Sequence, residues 1–190
     1  MLLSSLDHSS PPVSLNFTAL SSVASGERKR YLIGIGSNLD PHSNVSRALQ
    51  SLLPSVERCI VSRAIQTSAV GMETDFPFIN LAAYIETSLD AVALKARFNA
   101  IETSLGRDRT DPLCKVKDRP IDLDILTEVH SLKDCLYAIE DSPAYGRAIL
   151  FELLEYLLFD ATALDQQTVL FNFEGISLGL TPQAIKFPLN

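Results

Sequence analysis

Apolar positions recur along this chain with two periods, and their alternation predicts the elements. Tyr31-Leu-Ile-Gly-Ile-Gly36 is a short apolar run and predicts a buried strand ending at a glycine. Asp40-Pro41 follows as a helix N-cap with proline at the first helical position. Val45, Leu49, Leu52 and Leu53 make the stripe of that helix, and Pro54 closes it. Val56 to Gln66 is rich in β-branched residues and predicts a second strand with imperfect alternation. After a loop from Thr67 to Pro77, Phe78 to Thr87 predicts a third strand with Ile79, Leu81, Ala83 and Ile85 on one side. Ser88 or Asp90 caps a second helix striped by Leu94, Phe98, Ile101 and Leu105 and stopped at Gly106. A charged loop from Arg107 to Arg119 leads into a fourth strand, Ile121 to Leu126.

This β-α-β-β-α-β order is the split βαβ pattern of a ferredoxin-like α+β sandwich. Beyond Thr127, Ala148 to Phe159 predicts a helix, and the tail from Thr168 adds a strand. The expected organisation is therefore a single domain over residues 31–190, with a core at 31–126 and a helical and strand extension at 127–190. Residues 1–30 are Ser-rich and contain Pro11-Pro12, with Asp7 and the largely neutral His8 as the acidic and basic side chains before Glu27. They have the charge order of neither a secretory signal nor a transit peptide, so a disordered or over-extended tail is expected.

Composition narrows the function classes. At 190 residues the chain can bury a sizeable core, and 46% hydrophobic with 21% charged residues is ordinary for a globular enzyme. A net charge of -7 argues against nucleic acid or an anionic membrane as partner. Cys59, Cys114 and Cys135 are odd in number and widely spaced, which suits a reducing, cytoplasmic setting. No segment has the length and apolarity of a membrane span. A monomer or weak oligomer is expected.

The candidate chemistry lies in Arg119-Pro-Ile-Asp-Leu-Asp-Ile125. Alternation sends Asp122 and Asp124 out of one strand face while Ile121, Leu123 and Ile125 fill the other. Two carboxylates this close repel unless a cation lies between them, and Mg²⁺ bridging to phosphate is the usual partner. Arg107, Arg109, Lys115, Lys117 and Arg119 form a local basic run on an acidic background. A compact polyphosphate suits such a site, since guanidinium forks match phosphate oxygens bidentately. Taken singly, Phe78 reads as a core residue, Asn80 as a strand-end cap and Thr67 as nothing in particular.

Several motifs occur together in one order: Gly34-Ile-Gly-Ser-Asn-Leu39, Thr67-x-x-x-Gly71, Phe78-Ile-Asn80, Ile101-Glu-x-x-Leu-Gly-Arg-x-Arg109 and Arg119-Pro-Ile-Asp-Leu-Asp-Ile125. In these the chain resembles the 6-hydroxymethyl-7,8-dihydropterin pyrophosphokinases of folate biosynthesis, over about Tyr31 to Leu126. The resemblance implies transfer of pyrophosphate from ATP to the pterin hydroxymethyl group, releasing AMP, with two Mg²⁺ ions per ATP. It implies Asp122 and Asp124 as metal ligands, and a catalytic group of Arg107, Arg119, Asp122 and Asp124. It further implies ATP contacts from Asn99, Arg109, Arg119, Ile125 and Arg147, and pterin contacts from Thr67, Val70, Phe78 and Asn80. The chain departs from the family pattern in having no tryptophan, with Val116 near its usual place, and in carrying Ile149 where a pterin-stacking phenylalanine is usual. A catalytically weakened paralogue, serving as a nucleotide- or pterin-binding module, is the alternative expectation.

Overall fold

The computed structural model describes residues 28–69, 74–114, 116–159, 171–173, 176–179 and 182–185. Val70, Gly71, Lys115 and the expected tail up to residue 27 lie outside the described residues. The elements in chain order are β1 (Lys29–Ser37), α1 (Pro41–Leu52), a single 3-10 turn (Leu53–Ser55), β2 (Arg58–Val61), β3 (Ile65–Thr67) and β4 (Phe78–Thr87). They continue with α2 (Ala91–Ser104), β5 (Asp122–Glu128), α3 (Leu132–Asp141), α4 (Ala144–Phe159), β6 (Phe171–Phe173), β7 (Ile176–Leu178) and β8 (Gln183–Ile185). One antiparallel sheet runs in the order β5-β1-β4-β2-β8, with β3 also paired to β4, while β6 and β7 pair with each other.

The period of two sorts the sheet into two faces. Tyr31, Ile33 and Ile35 of β1, Ile79 to Ile85 at alternate positions of β4, and Leu123 of β5 pack on α1 and α2 through Leu49, Leu52, Leu94, Phe98 and Ile101. Leu32, Ile60, Ala82 and Tyr84 point the other way and are covered by α3 and α4. The α+β character expected from the pattern holds, and the C-terminal extension supplies a second helical layer. Leu150, Leu153, Leu154, Leu157 and Leu158 are all buried there. At roughly 1.5–3 kcal/mol for each fully buried leucine, they seat α4 firmly on the sheet.

Two local expectations are corrected. The strand expected over Val56 to Gln66 is split, because the pairing with β4 slips by one residue between Val61↔Ala83 and Ile65↔Asn80. At the slip, Ser62 N donates to Ala82 O at 2.8 Å and Ser62 Oγ accepts from Ala82 N at 2.9 Å. The following Arg63 turns its side chain into the interior, where it pairs with Glu152 of α4. This is a β-bulge whose extra residue serves a buried ion pair. Asp40 stands at the α1 N-cap position but in a left-handed conformation (φ 41°) with no side-chain cap bond. Asn44 Nδ2 instead donates to Leu39 O at 2.7 Å. At α2 the cap is Asp90, accepting from Ala93 N at 2.8 Å, and Gly106 ends the helix at φ 96°.

Candidate active site

The register between β1 and β5 places Gly36 opposite Asp122 and Gly34 opposite Asp124. Ile121 and Leu123 are sunk in the first core, so the two carboxylates are held on the opposite face, above two positions that have no side chain. A Cβ at Gly36 would meet Asn80 Oδ1 at 2.9 Å, and one at Gly34 would meet Leu126 Cδ2 at 3.5 Å. The close approach at these glycines is made by the side chains of Asn80 and Leu126. Glycine at 36 is what lets Asn80 lie across β1.

A cavity opens over this trough. Its floor is the sheet, with Gly34, Gly36, Phe78, Asn80 and Ala82, and Asp122, Asp124 and Arg119 stand at one side. Its roof comes from the start of α4, through Tyr145, Gly146, Ile149 and Leu150. Asn80 Nδ2 donates to Thr67 Oγ1 at 2.8 Å, so the amide is anchored across the β3–β4 pair. The structure therefore brings Thr67, Phe78, Asn80, Arg119, Asp122 and Asp124 together around one space.

Asp122 accepts hydrogen bonds from Nη1 of both Arg107 and Arg119. Burial is the largest single influence on its carboxyl and pushes the pKa up. The hydrogen bonds and charges of Arg107 and Arg119 outweigh it together and hold the group below the usual carboxylate value. Asp124 is more open to solvent and pairs with Lys95, whose Nζ donates to Asp124 Oδ1 and to Leu123 O, each at 2.8 Å.

The arginines are placed by a residue that sequence reasoning left without a role. Glu102 on α2 is fully buried, at 0% exposure. It accepts from Arg107 Nη1 at 3.1 Å, from Arg109 Nε at 2.8 Å and Nη2, and from the backbone N–H of Leu123 at 2.8 Å. One carboxylate thus ties the end of α2 to the guanidinium pair and to the middle of β5. A signal was available: Glu102 follows Ile101 of the apolar stripe, and arginines come five and seven residues later.

A second brace joins the end of β1 to Arg119. Buried Asn38 accepts from Arg119 N through Oδ1 at 2.7 Å and donates through Nδ2 to Asp118 at 2.6 Å. Ser37 Oγ donates to Pro120 O at 2.6 Å.

The other expected site residues lie outside the cavity lining. Arg107 and Arg109 sit on Glu102, with Arg107 also bound to Asp122. Asn99 stands on α2, its Oδ1 buried with no hydrogen-bond partner among the described residues. Ile125 faces away from the acids and packs against the first core. Arg147 is exposed on α4 and donates through Nε to Ser142 O at 2.8 Å.

An acid pair backed by arginines thus stands beside a cavity with a ring and an amide on its floor. Residues 32–147 match the family described as 7,8-dihydro-6-hydroxymethylpterin-pyrophosphokinase (HPPK). The chain belongs to this family. It is similar to the 2-amino-4-hydroxy-6-hydroxymethyldihydropteridine pyrophosphokinase of Porphyromonas gingivalis, with 37% identity over 102 residues that cover 53% of this chain and 68% of the relative. The enzymes of the same name from Bacillus subtilis (35% over 97 residues, 50% of this chain and 56% of the relative) and Pseudomonas putida (32% over 99 residues, 51% and 80%) are also similar. The match to the HPPK family ends at Arg147, so Ile149 and Leu150 of the cavity roof lie beyond it.

Proposed function

We propose that this HPPK chain performs its reaction at the cavity described, with the pterin between the sheet and α4 and the ATP phosphates at the arginines behind the acid pair. The activity is that of an ATP-dependent diphosphotransferase of folate biosynthesis, moving pyrophosphate from ATP to the hydroxymethyl group of 6-hydroxymethyl-7,8-dihydropterin and releasing AMP. The observation that carries the assignment of residues is that Asp122, Asp124 and Arg119 line the same cavity as Phe78 and Asn80.

Each residue has work suited to its chemistry. Phe78 offers a ring to the pterin face and Asn80, braced by Thr67, offers an amide to its polar edge. Arg107 and Arg119 now neutralise Asp122. A triphosphate competes for the same guanidinium donors, and drawing them away leaves Asp122 in need of another cation. Asp122 and Asp124 fit Mg²⁺ in that role: they are hard oxygen donors at i and i+2 on one strand face. Among the described residues, no group of three or more His, Cys, Asp or Glu side chains could cage a metal ion. That donor set suits an ion that completes its coordination with phosphate oxygens and water. Mg²⁺ held by Asp122 and Asp124 would supply charge neutralisation for the triphosphate during transfer. Glu102 holds Arg107 and Arg109 at the end of α2, so both stay anchored when Arg107 exchanges Asp122 for phosphate.

The test is AMP release from ATP by the full chain, with pterin or Mg²⁺ omitted in turn and with Asp122→Ala alongside. AMP formation is expected to require both, and the substitution to lower the rate by about 10²-fold or more, the scale of losing one preorganised charged group. Nucleotide binding by the wild type with no AMP at saturating pterin would overturn the reading in favour of a binding module.

A further inference from the structure

The cavity has two walls of different origin, and each carries one aromatic ring. Phe78 belongs to β4 on the floor. Tyr145 belongs to the first turn of α4 in the roof, one helical turn before Ile149 and therefore on the same helix face. The remaining roof residues, Pro143, Gly146, Ile149 and Leu150, are not aromatic. Tyr145 is only partly buried: it packs against the second core cluster and also lines the cavity. Burial raises its phenol pKa, the negative charge of Asp122 raises it further, and Arg119 opposes them. Asp122 and Arg119 line the same cavity as Tyr145, so the phosphate half of the site adjoins this side chain. A flat bicyclic ligand in a slot is held best when both faces meet π surface, and tyrosine provides such a face with a polar tip.

We propose that Tyr145 is a pterin-recognition residue, its ring roofing the slot across from Phe78 and its hydroxyl marking the boundary with the phosphate half. This rests on the assignment of the cavity to the pterin made above. It also gives Gly146 a purpose. A Cβ there would press on Ser142 at 3.3 Å, so glycine allows the tight turn between α3 and α4 that delivers Tyr145 to the roof.

The experiment is pterin binding to the full chain with Mg²⁺ and a non-hydrolysable ATP analogue, read by pterin fluorescence, which the absence of tryptophan leaves unobscured. Wild type, Tyr145→Phe and Tyr145→Leu are compared, with the analogue's own Kd and the melting temperature measured in parallel. Tyr145→Leu is expected to weaken pterin binding roughly 2- to 12-fold, the range for losing an aromatic partner, with the nucleotide Kd unchanged. Tyr145→Phe keeps the ring and is expected to retain most of the affinity. An unchanged pterin Kd in Tyr145→Leu, or pterin and nucleotide affinities falling together, overturns the proposal while leaving the pterin site in place. No pterin binding by the wild type overturns the cavity assignment itself, and this proposal with it.

Discussion

Replacing Glu102 by glutamine changes one atom type and one charge at the most heavily used carboxylate of the site. The wild-type side chain is fully buried and satisfies Arg107 Nη1, Arg109 Nε and Leu123 N at 3.1, 2.8 and 2.8 Å. Glutamine keeps the shape but has one acceptor oxygen, and its NH₂ group must face donors. Arg107, whose side chain is 9% exposed, then keeps Asp122 as its acidic partner and loses the other. Arg109 is 38% exposed and recovers most of its loss from water. Removing one member of a buried charged pair costs about 3–5 kcal/mol, because the remaining charge stays out of water. For a chain of this size, roughly 2–4 °C per kcal/mol turns that into a melting temperature lower by about 6–20 °C. Calorimetric or circular-dichroism melting at neutral pH measures it. A shift of less than about 2 °C would refute the view of Glu102 as the anchor of both arginines.

Two further outcomes follow from the same charge arrangement. Asp122 has a folded-state pKa below its unfolded value of about 3.9, so it stabilises the fold above that pH and loses the contribution as pH falls through the depressed value. The stability gap between wild type and Asp122→Asn should therefore be full at neutral pH and close only below about pH 4; a gap that stays constant into strong acid contradicts the pairing. Glu152→Ala strips the buried partner from Arg63 (side-chain exposures 4% and 1%) and should cost about 3–5 kcal/mol in urea unfolding. The double substitution Arg63→Met with Glu152→Leu should recover most of it, whereas strictly additive losses would show that the two side chains are not coupled.

Much of the fold was legible because it rests on local periodicity. The alternation of Ile121 and Leu123 with Asp122 and Asp124 settles which side chains share a strand face, whatever the sheet around them. The same holds for Ile79 to Ile85 on β4 and for the stripes of α1 and α2. Phe78, Asn80 and the acid pair, which separate motifs single out, line one cavity. Other features had no local signature. The strand breaks after Val61 at the point where Arg63 meets Glu152, 89 residues away. Glu102 reads as one more helical glutamate until Arg107, Arg109 and Leu123 N converge on it. Tyr145 belongs to a roof that exists only where α4 folds back over the sheet. Periodicity states which way a side chain points from its own element. A buried charge or a cavity wall depends on what another part of the chain brings to meet it, and that is decided when the layers pack.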